Sequence, residues 1–208
     1  MNINLDSECV RFFENEGRAF AAGDRRISLY DLSLKGENAL VAPYGIQNFN
    51  GKECLKVILT PECALKIKEF ENDMVEKMKI SIPKFLDGTD GFHSMVKTDF
   101  EGNTIFTLKL AEKVNIETYD VKKGTFSKTL SEKIPSGARV SLGMKVFHPW
   151  KFDIKGVVKY GIRIAITEII AYDSTELKRK GVEPKVSIKD YMVSNSKKRV
   201  KLIDHKDL

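Results

Sequence analysis

Cysteine, histidine and long apolar runs are scarce in this chain, and each shortage closes a class of function. The three cysteines, Cys9, Cys54 and Cys63, are odd in number and lack CxxC spacing, which argues against both a disulfide framework and a zinc knuckle. A reducing compartment fits that usage. The three histidines, His93, His148 and His205, form no HExxH pair and stand at no metal-ligand spacing from a cysteine or an acid. There is no GxSxG elbow and no Walker A loop, and the 14 glycines are scattered rather than gathered into a phosphate turn. No catalytic residue, metal or cofactor is therefore expected. Asp87, Asp90 and Asp99 could bind a divalent cation as a nuclease does. They lie among glycines, however, without the twelve-residue calcium pattern, and turn-forming aspartate is the simpler reading. No segment approaches the roughly 20 apolar residues of a membrane span, and the N-terminus MNINLDSECVRFFENEG lacks the layout of a signal peptide. An intracellular protein without a membrane partner is expected.

What is present is charge, unevenly placed. Residues 1–100 carry 13 bases and 16 acids, a net of −3, whereas residues 101–208 carry 22 and 13, a net of +9. The basic half should face a polyanion. With 208 residues and 42% apolar content the chain can bury a sizeable core.

The most informative stretch runs from Arg139 to Tyr172. Val140, Leu142, Met144 and Val146 fall on one face of a first segment, and Tyr160, Ile162, Ile164 and Ile166 on one face of a second, the period-two pattern of half-buried strands. Between them lie Phe147, Trp150 and Phe152. From 139 to 163, six bases (Arg139, Lys145, Lys151, Lys155, Lys159 and Arg163) stand against one acid, Asp153. Rings to stack on and cations to hold phosphates, carried on a strand pair, are the equipment of a single-strand nucleic-acid binder. The same residues also fit a core corner with a lysine-protected sheet edge. Trp150 follows Pro149, which places it at a strand corner or in a loop, with a buried indole there as the equal alternative.

The remainder reads as β-rich with one clear helix. Strand-like runs occur at 27–34 and 52–60. Thr60 can cap a following helix, Pro61 suits its first position, and Glu62 favours its positive end. Ile67, Phe70, Met74 and Met78 form its apolar stripe opposite Glu69, Asp73 and Lys77. Residues 83–103 read as a long loop with Phe85, Phe92 and Phe100, residues 104–110 as a strand, and 114–121 as a further short one. Phe12 and Phe13 read as a hydrophobic anchor beside the surface charges Glu14 and Glu16.

The block LGMKVFHPWKF…KYGIRIAITEIIAYD resembles the OB-fold single-stranded DNA-binding proteins of large DNA viruses and phages. A basic-aromatic strand, a short glycine-containing hairpin and a Tyr-Gly-Ile strand carry the resemblance, with KECLKVILTPECALKIKEFENDM compatible with a strand and the helix across the end of such a barrel. It implies a mainly β (α+β) fold: an OB-like barrel or strongly bent antiparallel sheet with one amphipathic helix. It also implies sequence-independent binding of single-stranded DNA in replication or recombination, at Phe147, Trp150, Phe152 and Tyr160 and the interleaved bases. Self-association and contacts with replication proteins accompany that function. The alternative is a structural protein whose aromatics make a homo-oligomeric interface. One OB-like domain is expected over 1–175 and a flexible basic extension over 176–208, in which Lys197, Lys198, Arg199 and Lys201 have the density of a nuclear-import signal. The family often ends in an acidic tail, and this chain ends instead in KKRVKLIDHKDL.

Overall fold

Alternating apolar residues between 138 and 173 build two neighbouring strands of 17 residues each. The computed structural model describes residues 1–129 and 134–173, so the extension over 176–208 and its Lys197, Lys198, Arg199 and Lys201 lie outside the described residues. In chain order the elements are β1 (Asn2–Asn4), β2 (Val10–Asn15), β3 (Arg18–Gly23), β4 (Arg26–Tyr30), β5 (Leu40–Ala42), β6 (Ile46–Phe49) and β7 (Lys52–Ile58). There follow α1 (Pro61–Ser81), α2 (Pro83–Leu86), β8 (Gly91–Phe92), β9 (Val96–Thr98), β10 (Thr104–Asp120), β11 (Thr125–Lys128), β12 (Ala138–Ile154) and β13 (Val157–Asp173).

Five of these strands close on themselves. β5 pairs with β7, β7 with β10, β10 with β13, β13 with β12, and β12 returns to β5. Only the β10–β13 contact is parallel in this circle. Ranked by chain position the circle runs 1-2-3-5-4-1, the Greek-key closure of an OB barrel, which leaves no free edge within the ring. β4 adds to β12 beside β5, with β1 outside it, while β2 and β3 form a separate hairpin. The barrel interior is filled by Leu29, Leu55, Phe106, Leu142, Met144, Ile162 and Ile166, none of them more than 2% exposed.

Helix α1 forms where the end signals place it. The Thr60 hydroxyl accepts a hydrogen bond from the Cys63 backbone N–H at 3.2 Å, Pro61 takes the first turn, and Glu62 faces the dipole. Ile67, Phe70, Met74 and Met78 are buried, as is Glu71, which the apolar-stripe reading leaves out.

The structure corrects four sequence expectations. The strand expected over 27–34 stops at Tyr30, because the Asp31 carboxylate accepts from both the Ser33 N–H and hydroxyl and turns the chain. The long loop over 83–103 contains α2, β8 and β9; the two strands pair with β13 and β10, partners that local patterning does not reveal. The expected strands at 104–110 and 114–121 are one, β10, which shifts register between Leu110 and Asn115. Trp150 lies within β12, not at a corner or in a loop.

Candidate nucleic-acid interface

The hairpin β12–β13 turns at Lys155-Gly156, whose φ values of 56° and 82° are both left-handed. That is the geometry of a tight two-residue turn, and it sets the register of the strands from the turn as far as the Pro149–Ile162 pair. Register then decides which side chains share a face. Val146 opposes Ile164 and Pro149 opposes Ile162, so Phe147 and His148 together oppose the single residue Arg163. This is a β-bulge, and it keeps Val146 and Pro149 pointing inward on either side of two outward residues.

Beyond the bulge, Trp150 pairs with Gly161 and Phe152 with Lys159. On the other side Lys145 pairs with Ala165 and with Arg26, and Ala165 pairs in turn with Lys109. The outer surface therefore carries Phe147, Trp150 and Phe152 down β12, with Arg163 and Lys159 across from them on β13. A cross-strand row of Lys109, Lys145 and Arg26 bounds one end. Phe152 is 62% exposed. The Arg163 guanidinium sits 5.3 Å from the Phe147 ring centre, close enough for a cation–π contact.

Trp150 is half-buried, and its seat is specific. A Cβ at residue 161 would stand 2.5 Å from Cζ2 and 2.7 Å from Cε2 of Trp150, so the indole lies on the bare backbone of Gly161. The His93 ring packs against it at 5.7 Å between ring centres and 59° between planes. Partial burial, and next the charges of Lys97 and Lys159, lower the His93 imidazole below its ordinary value, which favours the neutral ring.

Not every expected residue joins this face. Tyr160 is a correction: it is 6% exposed, with its ring edge-on to Phe92 at 5.6 Å, and belongs to the core rather than to an open stacking surface. Its phase along β13 matches Ile162 and Ile164, so the alternation alone is enough to read the tyrosine as inward. Arg139 stands roughly 25 Å along β12 from Phe147 at about 3.3 Å per residue, and its guanidinium donates to the Ala39 carbonyl at 3.3 Å. Lys155 occupies the hairpin turn. The Lys151 ammonium donates to the Asp87 carbonyl at 3.1 Å and lies over the Phe85 ring at 4.9 Å, bridging to the end of α2.

Of the aspartates named as a candidate cation site, Asp87 ends α2, Asp99 holds a turn, and Asp90 ties its segment to β13. Asp99 accepts from the Glu101 and Asn103 N–H groups, each at 2.9 Å, and Asp90 accepts from the Val158 N–H. Among the described residues no three His, Cys, Asp or Glu side chains gather as a metal site.

An OB-type barrel with a basic and aromatic outer sheet is the class these features define. Neither a family model nor a curated protein matches the chain. Solved structures are similar to it. One is the single-stranded DNA-binding protein from bacteriophage Enc34 in a C-terminal truncation, with TM-score 0.45 and 12% identity, covering 81% of this chain and 98% of that one. Another is the same phage's protein in complex with single-stranded DNA, with TM-score 0.44 and 13% identity, covering 80% and 97%. A third is gp2.5, a single-stranded DNA-binding protein encoded by bacteriophage T7, with TM-score 0.39 and 13% identity, covering 72% and 93%.

Proposed function

We propose that this protein binds single-stranded DNA without sequence preference, in replication or recombination, and that it does so as a binding protein rather than an enzyme. The observation that carries the reading is the pairing of rings and cations across β12 and β13. Outward residues two apart on a strand are about 6.6 Å apart, a step that an extended single strand can match with successive bases. Trp150 and Phe152 have that spacing, and Phe147 continues the line past the bulge. Each stacked base contributes about 1–3 kcal/mol and every base has a π-face, which makes the binding tolerant of sequence. Lys159 and Arg163 on the neighbouring strand, with Lys145 at the end of the line of rings, would hold phosphates and supply the salt-dependent part. A duplex hides its base faces, so the rings favour a single strand.

Phe152 provides the cleanest test, since it is largely exposed and its removal leaves the barrel interior intact. Phe152→Ala is expected to weaken oligothymidine binding by roughly tenfold, within the range for one stacked base, with an unchanged melting temperature. Unchanged affinity together with a lower mass by light scattering would instead assign the rings to a homo-oligomeric interface.

A further inference from the structure

We infer that the β2–β3 hairpin is a second stacking wall for the same strand, so that bound single-stranded DNA passes from Phe152 along β12, over the bulge, and onto Phe13 and Phe20. This inference rests on the single-strand reading given above and extends it to a surface that reading does not use.

The hairpin has two unlike faces. Val10, Phe12, Ala19 and Ala21 are buried in the core, which anchors the hairpin on its inner side. On the outer side Phe13 and Phe20 are ladder partners whose rings stack at 5.3 Å and 17°, and Phe13 is 47% exposed. The inner contacts already hold the hairpin, so folding does not explain an exposed Phe13 ring stacked on the half-buried Phe20.

Charge selects the occupant. The rungs flanking the two rings are Arg11 with Ala22 and Asn15 with Arg18, giving two exposed bases and no acid on the outer ladder. Glu14 points the other way, and its carboxylate accepts from the Phe85 N–H at 3.1 Å. A ring beside a base is also the composition of the Phe152–Lys159 rung. The hairpin thus repeats the chemistry of the β12–β13 face, which fits a polyanion with exposed bases.

Continuity joins the two surfaces. His148, the second residue of the bulge, meets the Phe20 ring edge-on at 5.3 Å and 76°, while Phe147 beside it carries the Arg163 guanidinium. β3 is fastened there by side chains: the Ala21 N–H donates to His148 Nδ1 at 3.4 Å, and the Arg25 guanidinium donates to the Ala21 carbonyl at 2.8 Å. A strand leaving Phe147 therefore meets an aromatic corner and then a stacked ring pair.

Titration with labelled oligothymidines of about five and about twelve nucleotides, spanning the usual range for one OB barrel, separates the claims. Phe13→Ala is expected to weaken the longer strand by roughly five- to a hundredfold, the effect of removing one stacked base, and to leave the shorter strand unchanged. The double variant Arg11→Gln, Arg18→Gln is expected to flatten the salt slope on the longer strand by about 0.7 for each phosphate it no longer neutralises. Wild-type affinity of Phe13→Ala for the longer strand overturns the inference. So does an unchanged salt slope in the arginine variant, whose exposed side chains can be replaced without disturbing the fold. Failure of the underlying single-strand reading shows itself separately, as Phe152→Ala binding both lengths like the wild type.

Discussion

At the scale of single residues, the candidate face depends as much on a missing side chain as on the rings themselves. Gly161 has ordinary backbone geometry, so its role is space: the Trp150 indole occupies the volume that a Cβ would fill. Gly161→Ala should displace the ring toward solvent and destabilise the fold by about 1–3 kcal/mol, the usual range for overpacking. Because the chain has a single tryptophan, its emission spectrum reports this site alone. A red shift with weakened oligothymidine binding is the expected result, and an unchanged spectrum with unchanged affinity would contradict the described seat. The glycine stands in the Tyr-Gly-Ile strand already prominent in the sequence, but its partner is not legible there. Which side chain crosses it depends on cross-strand register, which the two-residue turn at Lys155-Gly156 sets.

At the scale of elements, the inward faces of β12 and β13 are legible because period-two alternation holds from Val140 to Val146 and from Tyr160 to Ile166. The alternation breaks at Phe147-His148, where two outward residues follow one another, and the strand pattern stops there. It resumes with Pro149 inward and Trp150 outward, which is why the sequence suggests a corner where the chain in fact continues as one bulged strand. Helix α1 is legible from its cap and stripe, yet the stripe omits Glu71 although it sits at helical spacing from Ile67 and Met74. Glu71 is only 4% exposed, and its carboxylate accepts from the Ser94 hydroxyl at 2.6 Å and the Met95 N–H at 2.7 Å, tying α1 to the segment that carries His93.

Burial raises the Glu71 carboxyl above its ordinary value of 4.5, against the opposing pull of those two hydrogen bonds and of Lys68. A raised folded-state value means that the native form prefers the protonated acid. The associated stability is present below the unfolded value and is lost as pH rises through the folded one. Glu71→Gln removes that titration. Its melting temperature relative to wild type should therefore be highest at neutral pH and should fall back as pH drops through the folded value towards about 4.5. Thermal denaturation across pH 4 to 7 measures this, and a difference that does not vary with pH would show that the carboxylate is not strained by its burial.

At the scale of the whole molecule, barrel closure and charge asymmetry have separate jobs. The five-strand circle is satisfied internally and presents β12 and β13 as a rigid outer sheet, whereas the net of +9 over residues 101–208 sets the long-range attraction for a polyanion. Composition displays the second feature directly. Mainly β architecture can be anticipated from the strand patterns, but the parallel β10–β13 contact that completes the circle joins residues more than fifty positions apart, beyond local patterning. The β2–β3 hairpin is hidden for a related reason. Phe12 and Phe13 are adjacent, and alternation sends one into the core and the other out.

The central claim, a sheet that takes bases on its rings and phosphates on its cations, is tested most directly by fluorescence anisotropy with the full chain. A labelled oligothymidine of about thirty nucleotides and a duplex of equal length would be titrated at low and moderate salt. The account predicts preference for the single strand and an affinity that falls steeply as salt rises, with a log–log slope of about −0.7 for each phosphate bound. Equal binding of both probes, or binding indifferent to salt, would contradict it.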